Sequence, residues 1–153
     1  NDARQIKQAM FNDVSSQNKE CVIVGGGYIG MEVSAALCAA QCFKKITMIF
    51  PEEHMMAART LFSKEMASKY HALYAKNGIE FVCGSLADSF EGDKDGNVRS
   101  VLLKDGRTIS AQIVIVGIGG RPNVSLFADQ LAIDQQTKGL KVNKYLQSES
   151  NES

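Results

Sequence analysis

The sequence lacks a surplus of charge of either sign. Lys plus Arg number 17 and Asp plus Glu number 17, so nothing favours a nucleic-acid backbone, and no polybasic run suits a membrane surface. No apolar run approaches the roughly 18–20 residues that a membrane span needs. The opening "NDARQIKQAM" is too polar for a signal peptide, so the chain reads as soluble and intracellular. Cysteine is sparse: Cys21, Cys38, Cys42 and Cys83 form neither a CxxC pair nor a zinc spacing. Three of them fall in segments that read as buried, the pattern of free thiols in a reducing compartment. Cys38 and Cys42 would share a helical face, but a disulfide within one helix is geometrically awkward. The two histidines, His54 and His71, have no carboxylate or cysteine partner at metal spacing and read as surface or packing residues. "DKDGN", Asp93 to Asn97, resembles the start of a calcium loop, but Val98 stands where glycine is needed and Lys104 where the closing glutamate belongs. It reads as a hairpin turn, no serine sits in a nucleophile elbow, and no metal is expected.

What is present is one globular domain's worth of chain: 153 residues, 44% hydrophobic and 22% charged, without internal repeats. Residues 1–19 read as an N-terminal segment, with a short surface helix over Ala3 to Met10, and a polar linker. Residues 20–147 read as the folded domain, and 148–153, within "SESNES", as a disordered tail. Cys21 to Val24 is a continuous apolar run, the mark of a strand buried on both faces. From Tyr28 to Gln41, Ile29, Val33, Ala36, Leu37 and Ala40 recur at helical spacing, which predicts an amphipathic helix packed on a sheet. "ITMIF", Ile46 to Phe50, is a second buried strand. Ser63 can cap a helix running to about Asn77 whose apolar face carries Met66, Tyr70 and Leu73, and Gly78 is placed to end it. "IEFVC", Ile79 to Cys83, is the third strand.

Strands and helices alternating at these spacings predict right-handed parallel crossovers. Between Leu86 and Ile109 the turn signals Asp95-Gly96 and Asp105-Gly106 separate three short runs, which suits an inserted antiparallel meander. "IVIVGIG", Ile113 to Gly119, returns to the buried parallel type. The expected fold is therefore α/β: a Rossmann-like, doubly wound parallel sheet with an inserted three-stranded β-meander.

Glycine is concentrated where the first strand ends, in "CVIVGGGYIG". Glycine beside regular structure costs roughly 0.5–1 kcal/mol relative to alanine, so such a cluster answers a geometric demand. In a strand-turn-helix setting, Gly25 permits the tight turn, Gly27 lets a pyrophosphate approach the backbone, and Gly30 lets helix and strand pack closely. The unpaired amides at the helix start carry roughly half a positive charge and suit a diphosphate without any lysine. A lone GxGxxG is a weak signal, since such turns also merely connect strand to helix. Context strengthens it: Glu52 follows the second strand at about the spacing where an acid accepts hydrogen bonds from the adenosine ribose and repels a ribose phosphate. That favours NADH over NADPH. The alternatives are a solvated loop carboxylate, or Glu53 in the same part.

The segments "VIVGGGYIGMEVSAAL", "TMIFPE", "LKDGRTISAQIVIVGIGGRPN" and "SLF", spread from Cys21 to about Leu146, resemble the NADH-binding domain of plant-type monodehydroascorbate reductases. The resemblance implies a domain inserted into a discontinuous FAD domain, within an enzyme that passes a hydride from NADH to flavin and reduces monodehydroascorbate radicals by single electrons. It implies that Gly26, Gly27, Tyr28, Ile29 and Gly30, extending to Met31 and Glu32, bind the NAD(H) pyrophosphate side. Glu52 would set the NADH preference, Arg59 would contact the adenosine side, and Gly119 would touch the cofactor through its main chain. Glu32 lies near the nicotinamide on the family reading and is a first-turn helix-dipole carboxylate on the plainer one; the two are compatible.

The chain departs from the family pattern in places. "EHMMAART" is two residues longer than the usual stretch, which loosens the mapping of Arg59. No second GxGxxG with its own acid, no "GD" segment of the kind that holds FAD, and no redox-active cysteine pair is found. The expectation is an NAD(H)-binding domain whose FAD-binding segments lie outside this chain, inactive alone, with NADH, the FAD domain of the parent chain and monodehydroascorbate as partners. The compartment stays open among cytosol, plastid, mitochondrion and peroxisome. Two rivals stand beside it: the NAD domain of a ferredoxin or rubredoxin reductase, and a non-catalytic NADH-binding module resembling a piece of apoptosis-inducing factor.

Overall fold

The computed structural model describes residues 2–11, 18–57 and 62–150. They divide into two compact units, Asn1–Ile118 and Gly119–Ser153. The first begins with helix α1 (Asp2–Phe11), then alternates β1 (Glu20–Val24), α2 (Tyr28–Ala39), β2 (Lys45–Phe50), α3 (Lys64–Lys76) and β3 (Ile79–Cys83). The antiparallel strands β4 (Ala87–Gly92), β5 (Val98–Leu103) and β6 (Thr108–Ser110) follow, and β7 (Ile113–Val116) closes the unit. Four strands form a parallel sheet in the order β3-β2-β1-β7, and the other three form the meander β4-β5-β6. This is the Rossmann-like architecture with an insertion that the sequence predicts.

Pleating sends successive side chains of each strand to opposite faces, so the apolar runs feed two cores. On one face Cys21, Ile23, Ile46, Met48 and Phe50 join Leu37 of α2, with Phe81, Ile113 and Tyr74 packed around them. On the other, Val22, Val24 and Ile49 meet Val101, Leu103 and Ala111 of the meander segment. The meander thus covers the second face of the sheet. Its tips are the predicted Asp-Gly turns, with Gly96 at φ +81° and Gly106 at φ +86°. Asp93 accepts from the amides of Asp95 and Asn97 and pairs with Arg99 at 3.0 Å, and these bonds, led by the Asn97 amide, hold its carboxyl below the usual range. The loop carboxylate of "DKDGN" is committed to its own hairpin.

In α2 only part of the predicted face turns inward, Leu37 buried and Val33 packed against the core, and α3 presents a different side to the sheet from the one its hydrophobic spacing predicts. In α2 the buried residues are Gly30, Ser34 and Leu37, while Ile29 is 56% exposed and Ala36 and Ala40 face outward. Small residues let the helix axis come close to the strands, and the Ser34 hydroxyl is satisfied by donating to the Met31 carbonyl at 2.9 Å. In α3, Met66, Tyr70 and Leu73 are exposed and Ala67 is buried, with His71 and Tyr74 half-buried beside it. His71 takes the inward position because its ring stacks flat on Phe81, 3.9 Å between centroids. Ser63 caps the helix as expected, accepting from the Met66 amide at 3.3 Å, and Gly78 follows it at φ +90°.

All four cysteines are free; Cys21 and Cys42 are buried, whereas Cys38 and Cys83 are only half-buried. Burial, with a smaller contribution from Cys42, pushes the Cys21 thiol up to about 12. Among the described residues no helix is long and apolar enough to cross a membrane. The second unit holds a short 3-10 turn, Ser125–Phe127, and three isolated antiparallel bridges, Leu131 with Ser150, Ile133 with Leu140 and Val142 with Ser148. Ser148 and Ser150, which composition assigns to the tail, take part in these bridges.

The placement of the two helices predicts opposite outcomes for two leucines. Leu37→Ala should cost about 2–5 kcal/mol in urea unfolding, whereas Leu73→Ala, at a half-exposed site, should stay within about 0.5 kcal/mol.

Candidate functional site

The site is built where β1, β2 and β7 end on the same edge of the sheet. The Gly25 amide donates to the Ile49 carbonyl of β2 at 2.8 Å, and the Gly117 amide donates to the Val24 carbonyl of β1 at 2.8 Å. The chain therefore leaves β1 clamped between its two neighbours. Gly25 turns there at φ +119°, and a Cβ on it would overlap the Gly117 carbonyl oxygen. Both constraints require glycine.

The next glycines differ in what surrounds them. Gly26 is buried, and a Cβ there would lie 2.7 Å from Cγ of Phe50, whose ring supports the turn from below. At Gly30 a Cβ would overlap the Gly25 carbonyl oxygen. Gly27 alone of the first four opens outward, with no atom within 4 Å of its Cβ position. Gly27 is also the N-cap of α2, extended at φ −87° and ψ −168°, and no side chain caps the helix. Its carbonyl accepts the first helical bond from Met31 at 2.9 Å. The amides before Met31 have no partner within the helix, and Gly27 leaves open space beside the helix start. A concentrated positive partial charge without an internal acceptor is what an anionic oxygen requires.

Around this start, Tyr28 and Ile29 lie exposed, Met31 is half-buried and Glu32 exposed. Glu32 is the fifth residue of the helix, so it falls beyond the first turn, where a dipole carboxylate was expected; the helix begins only at Tyr28. Tyr28 meets the Phe62 ring edge-on at 6.3 Å, and Phe62 meets Tyr70 at 5.1 Å. Glu52 stands just past β2, half-buried. Of the two candidate acids, Glu53 is the more exposed and lies 3.9 Å from Nε2 of His54. The structure therefore brings Gly25 to Glu32 and Glu52 to one end of the sheet. Arg59 lies outside the described residues. Gly119 belongs to the second unit, where it takes φ +101°.

Three contributors were not singled out from the sequence. Phe50 supports Gly26, and Gly117 leaves its carbonyl where only a glycine at position 25 can fit. The signal for Gly117 was available, since it ends an apolar strand as Gly25 does. Met56 had no such signal: fully buried, at φ +62°, its amide donates to the Gly26 carbonyl at 2.7 Å. It ties the loop after β2 to the glycine turn. A separate cavity of about 370 Å³, lined by Ala35, Cys38, Tyr74, Asn77 and Ile79, opens near the start of β3, at the opposite end of the strands.

Comparison with known proteins bears on this geometry. The family model described as pyridine nucleotide-disulphide oxidoreductase matches residues 1–152. The chain is 46% identical over 134 residues to "Monodehydroascorbate reductase 4, peroxisomal" of Arabidopsis thaliana, an alignment covering 88% of this chain and 26% of that protein. It is 48% identical over 122 residues to "Monodehydroascorbate reductase 2, peroxisomal" of Oryza sativa subsp. japonica, covering 80% and 24%. The chain thus spans about a quarter of the length of these relatives. Among solved structures, that of a covalent putidaredoxin reductase-putidaredoxin complex superposes with a TM-score of 0.80 at 28% identity, over 96% of this chain and 33% of that one.

The contrast between the glycines is testable by thermal unfolding. Gly30→Ala should destabilise by at least about 1–3 kcal/mol, because its Cβ has no room. Gly27→Ala should cost about 1 kcal/mol or less, the loss of a preferred cap residue only.

Proposed function

The chain belongs to the pyridine nucleotide-disulphide oxidoreductase family, and from that premise we propose that its first unit binds NADH at the glycine turn, within an FAD-dependent monodehydroascorbate reductase. The observation that carries the cofactor reading is the uncapped start of α2 beside the open Gly27. A pyrophosphate fits such a start: it needs amide donors and close backbone access, and a Cβ at position 27 would take up part of that approach. The names of the relatives support the substrate.

The residues would divide the work by position. The amides at the start of α2 would receive the pyrophosphate oxygens, and Gly27 would let them come within hydrogen-bonding distance of the main chain. Glu52 would accept from the ribose hydroxyls, and its charge would repel a 2′-phosphate there. Arg59 and Gly119 would add adenosine-side and main-chain contacts, and Tyr28, Ile29, Met31 and Glu32 would line the path of the cofactor. Bound there, NADH would supply the hydride that the FAD of the proposed parent enzyme uses to reduce monodehydroascorbate radicals. The residues here hold and orient the donor and carry no bond-making step themselves. Residues 20–147 would form the NAD(H)-binding part, joined to the FAD domain of the parent protein.

A second reading has one specific observation in its favour. The likeness to the structure of a putidaredoxin reductase-putidaredoxin complex supports an enzyme whose acceptor is a partner protein. The electron acceptor preferred by the full-length protein separates the two, monodehydroascorbate radical against ferredoxin.

The cofactor reading is tested by calorimetric titration with NADH and NADPH, repeated on Glu52→Arg. NADH should bind at least about tenfold more tightly than NADPH, equivalent to about 1.4 kcal/mol, and the variant should reverse the order. An unchanged preference in the variant would remove Glu52 as the selector, and no binding of either nucleotide would leave the turn a scaffold only.

A further inference from the structure

Both histidines of the chain pack beneath the cofactor-facing edge of the sheet, in a place neither composition nor spacing explains. His71 of α3 stacks on Phe81 at 3.9 Å and 28°, meets the Phe50 ring edge-on at 6.3 Å, and lies 5.3 Å from His54 of the loop after β2. Phe50 is the ring that supports Gly26. One stack therefore runs from the loop, through two imidazoles, to the underside of the glycine turn. The same loop is tied to that turn a second time, by the Met56 amide on the Gly26 carbonyl.

The stack suits a neutral His71. Among the described residues, neither the buried Nδ1 of His54 nor that of His71 has a hydrogen-bond partner. A second proton on His71 would place an N–H donor, or a charge, where no described residue offers an acceptor. The neighbours offer little relief. β2 and β3 present Phe50 and Phe81, which carry no charge, and the Cys83 thiol of β3 is itself pushed up by burial and by Glu53. From the loop, the Glu53 carboxylate reaches Nε2 of His54 at 3.9 Å but stands mostly in solvent. Along α3 the other ionisable groups are Lys64, Glu65, Lys69, Tyr70, Tyr74 and Lys76, of which Lys69 is paired with Glu65. Burial, then the proximity of His54, lowers the proton affinity of His71.

We propose that the stack of His54 and His71 forms an acid-released latch: with His71 neutral it holds the loop of residues 51–57 against the glycine turn, and protonation of His71 lets that loop go. Release would carry away Glu52 and break the Met56–Gly26 hydrogen bond. It would also relax Met56 from its left-handed backbone at φ +62°. The sign follows from linkage. In the open loop an imidazole titrates near its ordinary value of about 6.5, and in the closed stack His71 titrates lower. The closed state is therefore fully favoured above pH ~6.5 and loses ground as pH falls below it. The consequence for cofactor binding rests on the NADH reading of this edge; the latch itself does not.

Amide hydrogen exchange of the protein at pH 7.5 and 5.5, corrected for the intrinsic pH dependence of exchange, tests it. Protection of the Met56 amide should fall, by up to about tenfold for one histidine released, the limit set by a titration one pH unit above the working pH. Protection of the Ile23 amide, in the central strand, should not fall with it. In His71→Phe, which keeps a stacking ring, and in His54→Gln, the Met56 response should flatten. ADP-ribose, which keeps the pyrophosphate and adenosine ribose and withstands acid, should restore Met56 protection at pH 5.5. Met56 protection that is independent of pH, that falls equally at Ile23, or that falls equally in both variants would overturn the latch. A Met56 response as expected with no effect of ADP-ribose at either pH would uphold the latch and overturn the cofactor reading instead.

Discussion

The first unit depends on how closely α2 can approach the end of β1. Gly30 lies against the Gly25 carbonyl with no room for a Cβ, and Ser34 and Leu37 continue the contact down the helix. That proximity fixes the direction of the helix axis and so aims its first amides outward over Gly27. It also sets the height of the helix above the sheet, which leaves room for Met48 to fill the space beneath: its terminal methyl lies 3.3 Å from the Cβ position of Gly30. A larger residue at position 30 would not simply weaken the packing. It would move the amides that give the turn its chemistry.

The sheet answers this constraint on both faces. Registers are continuous across β3, β2, β1 and β7, so the carboxyl ends of β1, β2 and β7 arrive together at the glycine turn. The helix-facing core mixes branched aliphatics such as Ile23 and Leu37 with sulfur and aromatic side chains such as Met48, Phe50 and Met55, whereas the meander-facing core is mostly branched aliphatic. The difference has a physical reason. A pleated strand surface against a second sheet favours β-branched side chains, while the gap between a sheet and two close helices is irregular and suits adaptable side chains.

The loop after β2 shows how a site can be held by residues that carry none of its chemistry. Met55 and Met56 are fully buried, and one main-chain bond and one stack of rings connect the loop to the turn. Glu52 owes its place to that anchorage as much as to the strand that precedes it. The aligned stretches cover about a quarter of each of the two monodehydroascorbate reductases compared.

By itself, the sequence determined the order of strands and helices, the meander and its Asp-Gly tips, the capping Ser63, and the glycine turn with an acid after the second strand. Each of these is written in local chemistry: apolar period, residues that tolerate positive φ, and a hydroxyl before a helix. Only the tertiary structure decided which residues join Leu37 on the inward side of α2 and which side of α3 turns inward, because small residues and a stacked histidine fit the space available. It alone decided that Met56 closes onto Gly26 and that Gly117 crowds Gly25, and it set Glu32 beyond the first helical turn. Those contacts join residues distant in the chain, and no periodicity within a segment encodes the shape of the neighbour it will meet.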